Sequence, residues 1–263
     1  MALEHHSNAD LRIQQQVENA AQYVLPFIEA TKSIVPGMKV LEIGCGEGGV
    51  LKPFVDRGCI CTGVDLDQIR IDIAKQVYAA DILNNKLNFI NKNVYDTDFV
   101  SQFTNYFDLI VLKDTIEHVP NQEAFIPHLK KLLAPSGQIF FGFPPWQMPF
   151  GGHQQVCTKK FLSVLPYYHL LPMFLFKPFL KLFGENPVKI KDLIEVKETG
   201  ISIERFERIV KKSGFSVLHK THFLINPIYK YKFGLNPRKQ LGLISAIPVL
   251  RNFLTTCVYY TIG

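Results

Sequence analysis

The run Val40-Leu41-Glu42-Ile43 leads into Gly44-Cys45-Gly46-Glu47-Gly48. A short apolar run carrying one acid, followed by three glycines at alternate positions, is how a buried strand hands over to a helix around a ligand. Glycine accepts positive φ and close backbone approaches that a Cβ blocks. The rest of the chain reads as a sheet and lid built around this turn.

Residues 39–44 are the expected strand and 49–57 the helix that follows, with Gly58 as its cap. A second strand spans 59–65 and also ends in an acid, Asp65. Asp67 then caps a helix in which Ile69, Ile73 and Val77 repeat at helical spacing. Strands follow at 87–90 and 107–112, the latter apolar almost throughout, as a strand covered on both faces must be. Asn121 caps a helix bearing Phe125, Leu129 and Leu132, and the turn 134–137 leads into a fifth strand, 138–143.

Upstream, residues 9–32 are helical in pattern, with a kink expected at Pro26 and a break at Pro36-Gly37. This gives an N-terminal helical segment, 1–34, and a main domain, 35–263. After Phe143 the rhythm fails. Residues 144–200, rich in proline and aromatics, read as a cap inserted over the ligand face. Ser202 caps the next helix, 215–225 is a sixth strand, 226–252 a second insertion, and 253–262 the closing strand. Alternating strands and helices imply an α/β, doubly wound, mostly parallel Rossmann-like sheet. Ligands on such sheets bind beyond the carboxyl ends of the strands. Glu42, Asp65, Asn93 and Lys113 all lie at or just past such ends.

Composition narrows the partners. The 263 residues are 47% hydrophobic and 20% charged, enough for one α/β domain with insertions. The net charge of +6 suits an anionic substrate or transient contact with a membrane surface, while no arginine-rich run points to nucleic acid. Five cysteines, an odd number without a CxxC pair, read as reduced thiols of a cytoplasmic protein. The polar N-terminus carries no signal-peptide core, and His5 and His6 are given no role.

By itself the glycine turn serves any nucleotide enzyme with such a sheet. Two details narrow the choice. The turn reads E-x-G-x-G-x-G and lacks the Lys-Ser/Thr of a phosphate loop. A pyrophosphate favours helix-end amides with no acid nearby, whereas a carboxylate suits a ligand carrying an ammonium group. Asp65, about 20 residues on, stands where dinucleotide folds bind ribose hydroxyls.

With these motifs, together with 63–67, 107–112, Ile116-Glu117-His118-Val119 and 132–137, the chain resembles the class I S-adenosylmethionine-dependent methyltransferases over roughly 35–145 and 202–225. The resemblance implies a seven-stranded sheet whose last strand enters antiparallel. It also implies S-adenosylmethionine as cofactor and S-adenosylhomocysteine as product. Carried over, Gly44, Cys45, Gly46 and Gly48 pass under the methionine and ribose, and Glu42 supports the loop or the amino group. Asp65 takes the ribose hydroxyls, and Leu66 lies against adenine. Asn93 stands where the family often has an acid, so Asn93 with the Val94 amide is assigned to the adenine. Lys113 joins the cofactor set, and Tyr23 closes over it from the N-terminal helix.

The acceptor is expected to be a small molecule, with O-methylation favoured. Ile116-Glu117-His118-Val119 looks like the matching segment of ubiquinone-biosynthesis O-methyltransferases, where an acid-x-x-Glu-His set can hold a divalent cation. Asp114, Glu117 and His118 have that spacing, although a metal is not favoured over a structural role. His118 and His153 are the candidate bases for a hydroxyl acceptor, with Glu117 beside them. His128 reads as a helix-surface residue, and His169, His219 and His222 as structural. The stretch 161–183 reads as cap, or as an interfacial surface meeting a lipid-linked acceptor. The rivals are a glycan or lipid-linked acceptor, N- or C-methylation, a non-catalytic binding module on this scaffold and, more distantly, an NAD-dependent oxidoreductase.

Overall fold

The computed structural model describes residues 8–263; His5 and His6 lie outside them. Eight strands form one sheet in the order β3-β2-β1-β4-β5-β8-β6-β7. They are β1 (Lys39–Ile43), β2 (Ile60–Asp65), β3 (Leu87–Asn91), β4 (Phe107–Lys113), β5 (Leu133–Phe143), β6 (Val217–Ile225), β7 (Arg238–Lys239) and β8 (Cys257–Ile262). The first five run parallel, and β8 lies antiparallel between β5 and β6. The expected Rossmann-like order with an antiparallel last strand is therefore present. The seven expected strands gain an eighth, the two-residue edge strand β7, which comes from within the 226–252 insertion and pairs with β6.

Alternation along the strands explains the two cores. Leu41, Ile43, Ile110 and Leu112 enter one apolar cluster, while Val40, Leu109 and Val111 enter the other on the opposite face. Both faces of β4 are therefore covered, which is why it lacks a polar stripe. The expected turn at 134–137 lies inside β5. There the ladder slips, so that Leu133 pairs with Phe107 and Gln138 with Leu109.

The expected caps are made. Asp67 accepts from the Ile69 and Arg70 amides, Asn121 from Ala124, and Ser202 from Arg205. The helix expected at 49–57 starts only at Lys52 (Lys52–Asp56), with Pro53 in its first turn, where a missing N–H costs least. Pro26 does disturb the N-terminal helix. Ala9–Asn19 passes through a π turn, Ala20–Val24, into Leu25–Glu29, and the Leu25 amide reaches back five residues to the Ala20 carbonyl.

Residues 144–200 carry the helices Lys160–Val164, Met173–Leu182 and Pro187–Thr199. Their apolar faces make a cluster of their own, with Cys157, Leu162, Tyr168, Phe176, Leu180, Ile190 and Leu193 buried together. Leu162, Tyr168, Phe176 and Leu180 of 161–183 are consumed there, while Phe161, Val164, Phe174, Leu175 and Leu182 of the same stretch stay exposed. Among the described residues no helix is long and apolar enough to cross a membrane.

Candidate active site

β1 and β4 are neighbours, and the chain departs to opposite sides beyond them, so a crevice opens where both strands end. The glycine turn forms one wall. Gly44 has φ +72°, and a Cβ built there would come within 2.7 Å of the Thr115 side chain. Thr115 belongs to the turn after β4 and donates its hydroxyl to the Ile43 carbonyl at 3.1 Å. Gly48, at φ +80°, would meet the Phe89 ring at 2.4 Å. Gly44 and Gly48 thus have no room for side chains.

Asp65, at the tip of β2, accepts from the Gly46 amide at 2.7 Å and the Asp67 amide at 2.9 Å, tying the two strand ends together. Leu66 beside it is 70% exposed, an apolar side chain with nothing over it. Asn93 accepts from the Tyr95 amide at 3.0 Å, and the Val94 carbonyl is bonded by His128 at 2.9 Å. His128 is therefore no free surface residue, as its helix position suggested; it braces the 93–94 turn. Cys45 is buried, and its thiol pKa is raised by desolvation.

Glu42 is buried, and its Oε2 has no hydrogen-bond partner. Desolvation, with the charge of Asp65 added, pushes its pKa well up, although Lys113 opposes this. An unpartnered carboxylate oxygen is costly unless a donor arrives. Lys113 is itself buried. It pairs with Asp114 at 2.6 Å and sits 5.8 Å from the centre of the Tyr259 ring; burial works to lower its pKa, and the Asp114 charge helps turn the net shift upward.

The N-terminal helix is held on this turn by residues that carry no motif. Glu47, between two of the glycines, is buried and ion-paired to Arg12, with Arg70 at 3.9 Å on the other side. Gln16 of the same helix covers Gly49. Tyr23 meets Tyr231 edge-on at 6.5 Å. A buried acid inside a glycine turn was the available signal, since such an acid needs a cation. Losing Arg12 leaves Glu47 buried with only the more distant Arg70. Arg12→Ala is expected to cost about 2 kcal/mol, a fall in melting temperature of about 4–8 °C. Adding Glu47→Gln should restore part of it, and differential scanning calorimetry of both variants checks this.

On the other wall, Glu117, His118 and His153 come together. The two imidazole rings are 4.8 Å apart, and the three ligand-type atoms lie within 4.8 Å of one another. Asp114, with φ +54°, is not in that set; its carboxylate turns to Lys113. Glu117 is buried with neither oxygen partnered, and burial next to Asp114 pushes its pKa up to about 8. His118 is open to a cleft on one side, and desolvation on the others lowers its pKa, with Asp114 partly opposing. His169 is buried between Gln154 and the Trp146 carbonyl, a structural role.

A cavity of about 200 Å3 adjoins this cluster. Asp114, Glu117 and His153 stand at one end, with Met148 and Phe150 of the cap and Tyr229 and Phe233 of the second insertion around it. His153 also lines a neighbouring cleft, together with His118 and Arg70.

A family model described as a methyltransferase domain matches residues 13–165. The ubiquinone biosynthesis O-methyltransferase of Coxiella burnetii is 33% identical over 117 residues, 44% of this chain and 47% of that protein. Its counterpart in Glaesserella parasuis is 34% identical over 120 residues, 44% and 49% of the two chains. The chain thus spans about half the length of the curated relatives it matches. Among solved structures, a putative sarcosine dimethylglycine methyltransferase from Galdieria sulphuraria superposes with a TM-score of 0.59 at 12% identity, over 92% of this chain and 84% of that one. Geranyl diphosphate C-methyltransferase from Streptomyces coelicolor, solved with S-adenosylhomocysteine, gives 0.55 at 12%, over 90% and 77%. These two likenesses speak for the fold. The family match covers more than half of the chain, including the glycine turn, Asp65 and the Glu117-His118 segment: the chain belongs to the class I S-adenosylmethionine-dependent methyltransferases.

Proposed function

We propose that this chain methylates a hydroxyl group of a small, largely apolar molecule. The observation that carries the reading is His153, which lines the cavity and, with His118 beside it, a cleft bounded by Arg70, the side chain that lies against Gly46 of the glycine turn. A base at that junction can take the proton of an acceptor hydroxyl held in the cavity.

The residues at the strand ends suit S-adenosylmethionine. Glu42 offers a buried carboxyl oxygen lacking a partner, and an ammonium group arriving there would satisfy it and favour its ionised form. Asp65 keeps lone pairs for ribose hydroxyls beyond its two amide bonds, and Leu66 offers an apolar face to a base. Asn93, Val94, Cys45 and the glycines complete the cradle, and Arg12 and Tyr23 secure the helix beside it. When bound, the cofactor supplies a methyl group on a sulfonium, so the protein's work is chiefly to align the acceptor and manage its proton. Burial next to Asp114 favours the neutral form of Glu117, which limits the negative charge beside the histidines.

A second reading rests on the grouping of Glu117, His118 and His153, which also suits a divalent cation. One experiment addresses both. Labelled S-adenosylmethionine is offered with phenol, catechol and amine acceptors, with and without EDTA. The base reading expects methylated phenol or catechol and an unchanged rate in EDTA. Loss of activity in EDTA, restored by Mg2+ or Zn2+, favours the cation. Turnover of amines alone would overturn O-methylation.

A further inference from the structure

The second insertion ends in a feature the active site does not use. Residues 241–250 read Leu-Gly-Leu-Ile-Ser-Ala-Ile-Pro-Val-Leu, ten in succession without a charge. Not one of them is buried: Leu241 is 66% exposed and Leu243 84%, and Ile247, Val249 and Leu250 are exposed as well. The short helix within, Gly242–Ala246, has no fully buried residue; Ile244 and Ser245 are half-buried. Water-soluble surfaces seldom leave so much apolar side chain contiguous and uncovered unless something else covers it.

The base of this finger is clamped. Gln240 donates to the Leu254 carbonyl and accepts from the Leu241 amide. At the other end Glu204 accepts from the Val249 amide, Arg251 and Asn252, and Arg251 also reaches Glu207. The tip is therefore held out from a polar hinge rather than loosely draped. Val249 even has φ +67°, which a β-branched residue adopts only when its surroundings impose it.

Charge says what kind of surface the tip meets. Residues 226–252 hold five basic residues and no acid. Arg251 is consumed by the hinge. Arg238 and Lys239 form the exposed edge strand β7 immediately before the finger. An uncharged apolar tip flanked by cations is the pattern of interfacial insertion into anionic lipid, where tip side chains enter the headgroup–acyl boundary and nearby cations meet lipid phosphates.

We propose that residues 241–250, with Arg238 and Lys239, dock this protein reversibly on an anionic phospholipid surface. The same insertion supplies Ile228, Tyr229 and Phe233 to the cavity wall, so docking brings the acceptor cavity's own wall to the bilayer. The surface stands whatever the acceptor is.

The test is vesicle co-sedimentation of the full chain with phosphatidylcholine, alone or doped with phosphatidylglycerol. The wild type should bind the doped vesicles, and the binding should weaken as salt rises. Leu241→Ser/Leu243→Ser should lose at least tenfold in partitioning, and Arg238→Gln/Lys239→Gln about tenfold or more. All these residues are exposed, so melting temperature and S-adenosylhomocysteine binding should stay at wild-type values in both variants. That separates failure of docking from failure of the methyltransferase reading. Absence of wild-type binding to doped vesicles, or undiminished binding by the serine variant, overturns the proposal. So does a finger-dependent dimer in sedimentation velocity without vesicle binding, which would assign the tip to a second copy of the chain.

Discussion

Gly44→Ala is expected to remove cofactor binding altogether and to lower the melting temperature by about 6–12 °C. Two costs add. An alanine at φ +72° pays about 1–2 kcal/mol for the left-handed conformation. Its Cβ would also lie 2.7 Å from Thr115, a branched side chain fixed by bonds to the Ile43 and Lys113 carbonyls. Relieving that overlap means breaking those bonds and opening the β1–β4 crevice, so the total reaches about 3 kcal/mol, with about 2–4 °C lost per kcal/mol in a chain of this size. The turn must then move away from the surface that the cofactor is proposed to contact, so S-adenosylhomocysteine should no longer shift the melting curve. Gly37→Ala is the natural control. It too has positive φ, but no atom lies within 4 Å of its Cβ position, so only the conformational cost should appear.

His153→Asn is expected to lower kcat by about 10²–10⁴-fold while leaving S-adenosylhomocysteine affinity within about twofold. Asparagine is chosen because His153 has φ +57°, a conformation that asparagine tolerates and alanine does not. The loss should fall on kcat, since a general base acts on the transition state. His118→Asn should do less, because His118 lines the cleft and not the acceptor cavity. It should change the pH profile instead. Desolvation lowers the His118 pKa, so this ring stays neutral as pH falls to its ordinary value of about 6.5 and gains a proton only below it. Any acid limb caused by His118 therefore lies below about pH 6.5, and the variant should lose that limb. Steady-state rates of both variants from pH 5 to 9 provide the check.

The order of the sheet and the place of the glycine turn were legible because their signals are local. Val40 to Gly48 states in nine residues both a buried strand and a turn that excludes Cβ atoms. Asp67, Asn121 and Ser202 announce their helices through side chains that bond amides two or three residues on. The helix Thr97–Gln102 went unforeseen because six residues with one buried apolar side chain carry no readable period. The pairing of Glu47 with Arg12 spans 35 positions, and the bond from His128 to Val94 spans 34. Each joins elements brought together only by the sheet. The meeting of His118 and His153 belongs to the same class, since the sequence offered two separate histidines and the fold brings their rings face to edge. The apolar finger was hidden for a different reason. Leucine, isoleucine and valine in a loop look like core until the structure leaves them uncovered, as it also leaves part of 161–183, where Phe174 and Leu182 stay exposed beside the buried Phe176 and Leu180.

Isothermal titration of the purified chain with S-adenosylhomocysteine reads out whether the glycine turn, Glu42 and Asp65 hold S-adenosylmethionine. Saturable binding at one site per chain, lost in Gly44→Ala and weakened at least tenfold in Asp65→Asn, is the predicted result. No heat from the wild type, or equal affinity in all three proteins, would contradict it.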